Sequence, residues 1–311
     1  MKKLIFCLYI GLLTVLQGCK KDPEISKPEL PKAELIVENS FVFDMHVSSN
    51  ELYFLKSTGE LGIYDRNFKS FKFFNSLNSQ IDAEAIFAID RTISGQVVFG
   101  DSINGIRYFN NETLATLLSA KFLRFFNFKR QPAYFTNEPF IDILNKPHNL
   151  PSWVTGANKT NCLAALNDEL VIGTEAGHIG IFNKYNSTLT LKLDRSFTEG
   201  DSAITGECLS MEFDDNDNLW TMTSKGLVRY DHKQWKYLEG PINTDFRHLL
   251  IRKNGIYTIT DRGIYQVSEN QLIYNSQLSE LFPTGSIRLA EEDPDGNLFV
   301  VTDSGVFQIK E

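Results

Sequence analysis

Asn218-Leu-Trp-Thr-Met-Thr-Ser-Lys-Gly-Leu-Val-Arg-Tyr-Asp231 is an apolar strand, a short polar reversal containing Gly226, and a second apolar strand ending on an aromatic residue. The same phrase recurs along the chain. Further copies occupy Glu51–Asp65, Gln96–Phe109, Pro132–Leu144, Glu169–Phe182, Gly255–Val267 and Asn297–Ile309. With Tyr53, Val97, Ala133, Leu170, Leu219, Ile256 and Leu298 as markers, the steps are 44, 36, 37, 49, 37 and 42 residues. That period suits a four-stranded blade with its connections, so the spacing predicts an all-β, seven-bladed β-propeller.

The apolar runs give the physical reason. Leu52-Tyr53-Phe54-Leu55 and Leu298-Phe299-Val300-Val301 are hydrophobic on both faces, which requires cover from both sides, as when blades stack face to face. Turns such as Asp214-Asp215-Asn216-Asp217-Asn218 and Asp293-Pro294-Asp295-Gly296-Asn297 carry the residues that tight reversals need. The last repeat stops one strand short at Glu311, while Ala33-Glu34-Leu35-Ile36-Val37-Glu38 is a strand without a hairpin partner. It is expected to complete the last blade and close the ring, because an unpaired seam would be an aggregation edge.

Upstream, Met1-Lys2-Lys3, an apolar run from Leu4 to Leu16 and Leu16-Gln17-Gly18-Cys19 follow the order of a secretory signal. The run is too short for a membrane span, which takes ~20 residues. Leu16-Gln17-Gly18-Cys19 resembles the bacterial lipobox, which implies cleavage before Cys19 and its lipidation. The expected organisation is a signal peptide over 1–18, a lipidated flexible tether over 19–32, rich in proline and charge, and the propeller over 33–311. Lys20-Lys21-Asp22 resembles the export signals of surface lipoproteins, so an outer-membrane lipoprotein facing periplasm or cell surface is expected.

The stretch from Asp215 to Asp231 resembles the two-component-regulator propeller repeat, and Asp295 to Phe307 is a looser copy. The resemblance weakens elsewhere and is poorest around Ala133. That family's repeats occur in periplasmic sensor halves of hybrid histidine kinases, where propellers sense glycan fragments. This chain departs from the pattern in having one propeller, no kinase and a lipid anchor.

The formal charge is −8, and loss of Lys2 and Lys3 with the signal lowers it to −10. Neither nucleic acid nor anionic lipid is therefore expected as the main partner, since both reward clustered cations. Cys162 and Cys208 are the cysteines left after Cys7 and Cys19, and they read either as a disulfide or as two buried thiols.

Asp214-x-Asn216-x-Asn218 opens like a calcium loop but lacks its Gly and its distant Glu, and reads as a turn. His46, His148, His178, His232 and His248 show no zincin spacing, and no GxSxG elbow is present. No metal, cofactor or catalytic constellation is expected. Three longer connections, 145–160, 194–206 and 275–286, nominate His148, Trp153, Arg195 and Phe282 as ligand-binding residues, with Arg247 from an inner strand. The competing reading has Trp153 and Phe282 filling gaps between blades. Asp44, His46, Glu84, Glu207, Arg247 and Arg288 are candidates to line the channel. The expectation is a non-enzymatic module that binds a glycan, a peptide or an envelope protein. The rivals are a propeller enzyme acting on a glycan or lactone, and a scaffold subunit.

Overall fold

Strands form where apolar runs are interrupted by Asp, Asn, Thr and Gly, and each interruption is itself a hydrogen-bonded reversal. The computed structural model describes residues 31–38, 41–75, 77, 85–91, 96–110, 113–118, 124–126, 133–135, 140–143, 146–149, 160–166, 169–183, 190–196 and 206–310. In three hairpins a threonine hydroxyl closes the turn. Thr223, Thr260 and Thr302 donate to the carbonyls of Gly226, Gly263 and Gly305 at 3.1, 2.9 and 3.3 Å. Each also accepts the N–H two residues on, from Lys225, Arg262 and Ser304.

Every described strand belongs to an antiparallel four-stranded sheet. Six of these sheets are built from strands of four to seven residues and are termed blades 1 to 6. Their innermost strands are, in order, Val42–Val47, Ile86–Arg91, Thr160–Leu166, Cys208–Phe213, Phe246–Arg252 and Ile287–Glu292. Pro31–Lys310 forms one compact unit.

The expectation of seven like blades is corrected to six. The region around Ala133 forms a further sheet of strands only three or four residues long, Arg124–Phe126, Ala133–Phe135, Phe140–Ile143 and Lys146–Asn149. Proline is the reason visible in the sequence. Pro132 and Pro139 immediately precede two of its strands and Pro147 lies in a third, and a residue without an N–H cannot extend a ladder.

Stacking follows from the two-faced apolar strands. On the second strand of blade 1, Glu51–Lys56, Leu52 and Phe54 pack with Val42, Phe299, Val301 and Val306 of the blade 1 and blade 6 interface. Tyr53 and Leu55, pointing the other way, pack with Ile86 and Phe99 of blade 2. Blade 6 repeats the arrangement: Leu298 and Val300 face Tyr257 and Ile259 of blade 5, while Phe299 and Val301 face blade 1. Each such fully buried side chain contributes about 1.5–3 kcal/mol.

The strand Lys32–Glu38 is the outermost strand of blade 6, antiparallel to Gly305–Lys310, from Lys32 opposite Lys310 to Glu38 opposite Gly305. Val37 joins the core between blades 6 and 1. The approach is close enough that a Cβ on Gly305, whose φ is +140°, would lie 1.8 Å from the Val37 carbonyl oxygen. Deleting residues 33–39 uncovers the edge of Gly305–Lys310 and opens that core. The expected outcome is loss of a single cooperative unfolding transition in a thermal melt, with aggregation; a melt matching the intact chain would refute the closure.

Candidate functional site

Each innermost strand of the six blades carries a register shift near its start, between Val42/Asp44, Ile86/Ala88, Thr160/Cys162, Cys208/Ser210, Phe246/His248 and Ile287/Leu289. A bulge adds one residue and re-aims the side chains beyond it. The strands converge on an axial cavity of about 910 Å³. That volume lies in the range of small-molecule sites.

At the end where the innermost strands begin, the mouth carries Phe41, Phe43, Arg247 and Arg288. Phe41 and Phe43 are 44% and 39% exposed. The Arg288 guanidinium lies 3.9 Å from the centre of the Phe41 ring, and its Nε and Nη2 each reach Asp303 at 2.6 Å. Arg247 donates through Nη1 to the carbonyls of Gly285 and Ile287 at 2.7 and 2.9 Å. It lies 3.7 Å from the Asp245 carboxylate.

Deeper in, three consecutive blades contribute His248, Glu291 and His46. His46 Nδ1 is 2.8 Å from Glu291 Oε1. Burial pushes the His248 imidazole below its ordinary range, while the Glu291 charge and a hydrogen bond with the Ala290 backbone pull the other way. Asp44 is turned to structure: it accepts from the backbone N–H of Met45 at 2.9 Å and, across the blade boundary, from that of Ile89 at 2.8 Å.

Of the channel candidates, Asp44, His46, Arg247 and Arg288 thus meet on one cavity. Glu207 is bound by the Asn161 side chain and is not among its lining residues, and Glu84 lies outside the described residues. Among the loop candidates, Phe282 is corrected to a core residue. It is 7% exposed, packs among Leu278, Ile259 and Ile287, and meets the Phe307 ring edge-on at 5.2 Å. The short helix α1, Ser276–Ser279, seats it; Asn275 caps that helix, and Ser279 Oγ ties it to both backbone groups of Ile264. Trp153 lies outside the described residues, as do the side chains of His148 and Arg195 on the strands Lys146–Asn149 and Thr190–Ser196.

Glu291 and His248 are the additions that reading the chain alone missed as site residues. Strict alternation along Ile287–Glu292 and Phe246–Arg252 assigns the wrong faces because it omits the bulges.

The Asp214 segment is a turn. Its carboxylate accepts from the N–H groups of Asn216 and Asn218, the Asn218 amide and the Trp220 indole at 2.8 Å. Burial opposes the charge, yet these donors hold the group below the usual carboxylate range. Among the described residues no group of three or more His, Cys, Asp or Glu is placed to hold a metal ion. Cys162 and Cys208 are buried thiols not joined in a disulfide, both packed against Gly173.

No protein-family description matches the chain, and no curated protein matches it. Solved structures do. The extracellular domain of a putative hybrid two-component system from B. thetaiotaomicron aligns with a TM-score of 0.66 at 17% identity, over 89% of this chain and 41% of that one. The present chain therefore spans well under half the length of that relative. A streptogramin B lyase aligns with a TM-score of 0.67 at 11% identity over 90% of this chain and 98% of the other. Virginiamycin B lyase from Staphylococcus aureus gives 0.68 at 10% identity, with the same coverage. The chain shares the propeller fold with that extracellular domain and with the two lyases. At such identities the likeness carries the fold and not the activity.

The cavity has a measurable acid response. His248 takes up a proton less readily in the folded chain than in the unfolded one, so stability falls as pH drops through its ordinary value of 6.5. NMR titration is expected to place the His248 midpoint below 6.5. In Glu291→Gln the midpoint should move lower still, because the neighbouring charge that favours the imidazolium is gone; an unmoved or raised midpoint would contradict the arrangement.

Proposed function

We propose that this chain is a cell-envelope lipoprotein whose propeller binds a small polar ligand, of the size of a glycan or peptide fragment, in the axial cavity. The observation that carries the reading is the cavity itself. It joins exposed aromatic faces at the mouth, Phe41 and Phe43, to hydrogen-bonding groups beneath them, His46, His248 and Glu291. Aromatic faces stack on sugar rings or peptide planes, and the polar groups fix orientation. The envelope location draws on the lipobox-like Leu16–Cys19 and on the fold shared with the extracellular domain of a putative hybrid two-component system.

Calorimetry against a panel of oligosaccharide and peptide fragments tests the reading. Arg288→Ala removes the cation that lies over Phe41 and is expected to weaken binding about tenfold, or ~1.4 kcal/mol. A ligand that Arg288→Ala and Glu291→Gln both bind with the affinity of the unsubstituted chain would place the site elsewhere.

A second reading, an enzyme acting on a glycan or lactone, has one observation in its favour. A carboxylate held against one imidazole and felt by another, inside a cavity, is an arrangement for moving a proton. Product analysis on the same panel separates the two: conversion of a bound ligand that stops in Glu291→Gln supports the enzyme, and intact recovery supports the binding module.

A further inference from the structure

We propose that the rim of blade 1 around Phe68 seats on the lipid bilayer, so that the propeller lies with its axial mouth turned away from the membrane. The inference rests on the lipoprotein reading above and adds an orientation and a contact surface to it.

Phe68 stands at the tip of the turn between the third and fourth strands of blade 1, Glu60–Asp65 and Ser70–Phe74, and is 81% exposed. The turn is not slack. Asp65 Oδ1 accepts from the N–H groups of Asn67 and Phe68 at 2.9 and 3.0 Å, and Lys69 takes a left-handed φ of 51° to complete the reversal. Arg66 anchors its base, donating to the carbonyls of Ser48 and Ser49 and pairing at 2.6 Å with the buried Asp293 of blade 6. A phenyl ring is thereby held outward on a braced hairpin. Behind it, on the outermost strand, the exposed rings of Phe71 and Phe73 stack with centres 5.7 Å apart and planes 4° from parallel. Lys69 and Lys72 are exposed beside them. Exposed aromatics flanked by lysines suit the boundary between headgroups and acyl chains, where the rings sink and the ammonium groups stay in water.

The path of the chain selects lipid as the occupant. Innermost and third strands of a blade run in the same direction, so the turn at Phe68, which follows a third strand, lies at the end opposite the mouth. The clasp starts at that same end, because Lys32 pairs with Lys310, the last residue of the third strand of blade 6. The two features are neighbours: the Glu34 carboxyl is held below its ordinary range by Lys310 and, to a smaller degree, by Lys69 of the blade 1 turn. A lipid on Cys19 is 13 residues from Lys32, at most about 45 Å of extended chain. A tether of that length makes docking intramolecular, with effective concentrations reaching roughly millimolar, so a small aromatic patch suffices.

The full chain, recovered from membranes and reconstituted in phosphatidylethanolamine and phosphatidylglycerol vesicles, tests this. In Phe68→Trp the added indole is expected to emit at shorter wavelength and to be quenched by brominated acyl chains beyond the wild-type background. Ile242→Trp, at an 80% exposed position on the connection into blade 5 at the mouth end, is expected to show neither effect. Quenching in Ile242→Trp, or none in Phe68→Trp, overturns the orientation. The mass of the N-terminal peptide reports acylation separately. An unmodified Cys19 overturns the lipoprotein reading whatever the fluorescence shows, whereas an acylated Cys19 without quenching at position 68 overturns the docking rim alone.

Discussion

Burial on both faces of the second strand in each blade is the constraint from which the rest follows. Strands such as Glu51–Lys56 and Leu298–Thr302 send successive apolar side chains to opposite neighbours, so a blade on its own would leave one whole face in water. The hydrophobic effect acts on area without regard to direction, and only a neighbour of the same shape covers such a face. That need makes the clasp necessary. Without Lys32–Glu38, blade 6 would lack its outer strand and the core holding Val37 would open to solvent. Gly305 shows how tightly the clasp is pressed, since no side chain fits between it and Val37.

The same packing sets the chemistry of the axis. Because stacking fixes where the innermost strands run, a single extra residue near the start of each one decides what faces the cavity. Asp44 is used to bridge blades 1 and 2, while Glu291 is left between two histidines from the adjoining blades. A carboxylate and imidazoles within a partly closed space interact more strongly than they would at a surface, because less water screens them. That holds whether the cavity only binds or also moves a proton.

The two ends of the channel differ in kind. The mouth has exposed aromatics and arginines, with Arg288 shared between Asp303 and the face of Phe41. The opposite end is stapled between blades by ion pairs, Arg66 with Asp293 and Arg252 with Glu292, the latter at 2.9 Å. At the mouth Arg247 also reaches across a blade boundary, to the carbonyls of Gly285 and Ile287, but the half-exposed rings of Phe41 and Phe43 border open space. The proposed ligand site at one end and the proposed seating surface at the other suit this asymmetry.

Much of the fold was readable from residues alone. Apolar runs without alternation, spaced by Asp, Asn and Gly at a regular period, specify strands that stack, and the orphan strand at Ala33–Glu38 matches the strand missing after Lys310. These features are local, being carried by neighbours along the chain. What needed three dimensions was every property that depends on residues far apart. The short strands of the sheet around Ala133 showed only in the strand pairing, since the period alone counted that stretch as a full blade. Phe282 became core because α1 folds it against Phe307, and no local signal separates a plugging aromatic from an exposed one. The pairing of His46 with Glu291 spans nearly the whole chain and depends on ring closure and on bulges that periodicity does not encode, so only the tertiary structure decided it.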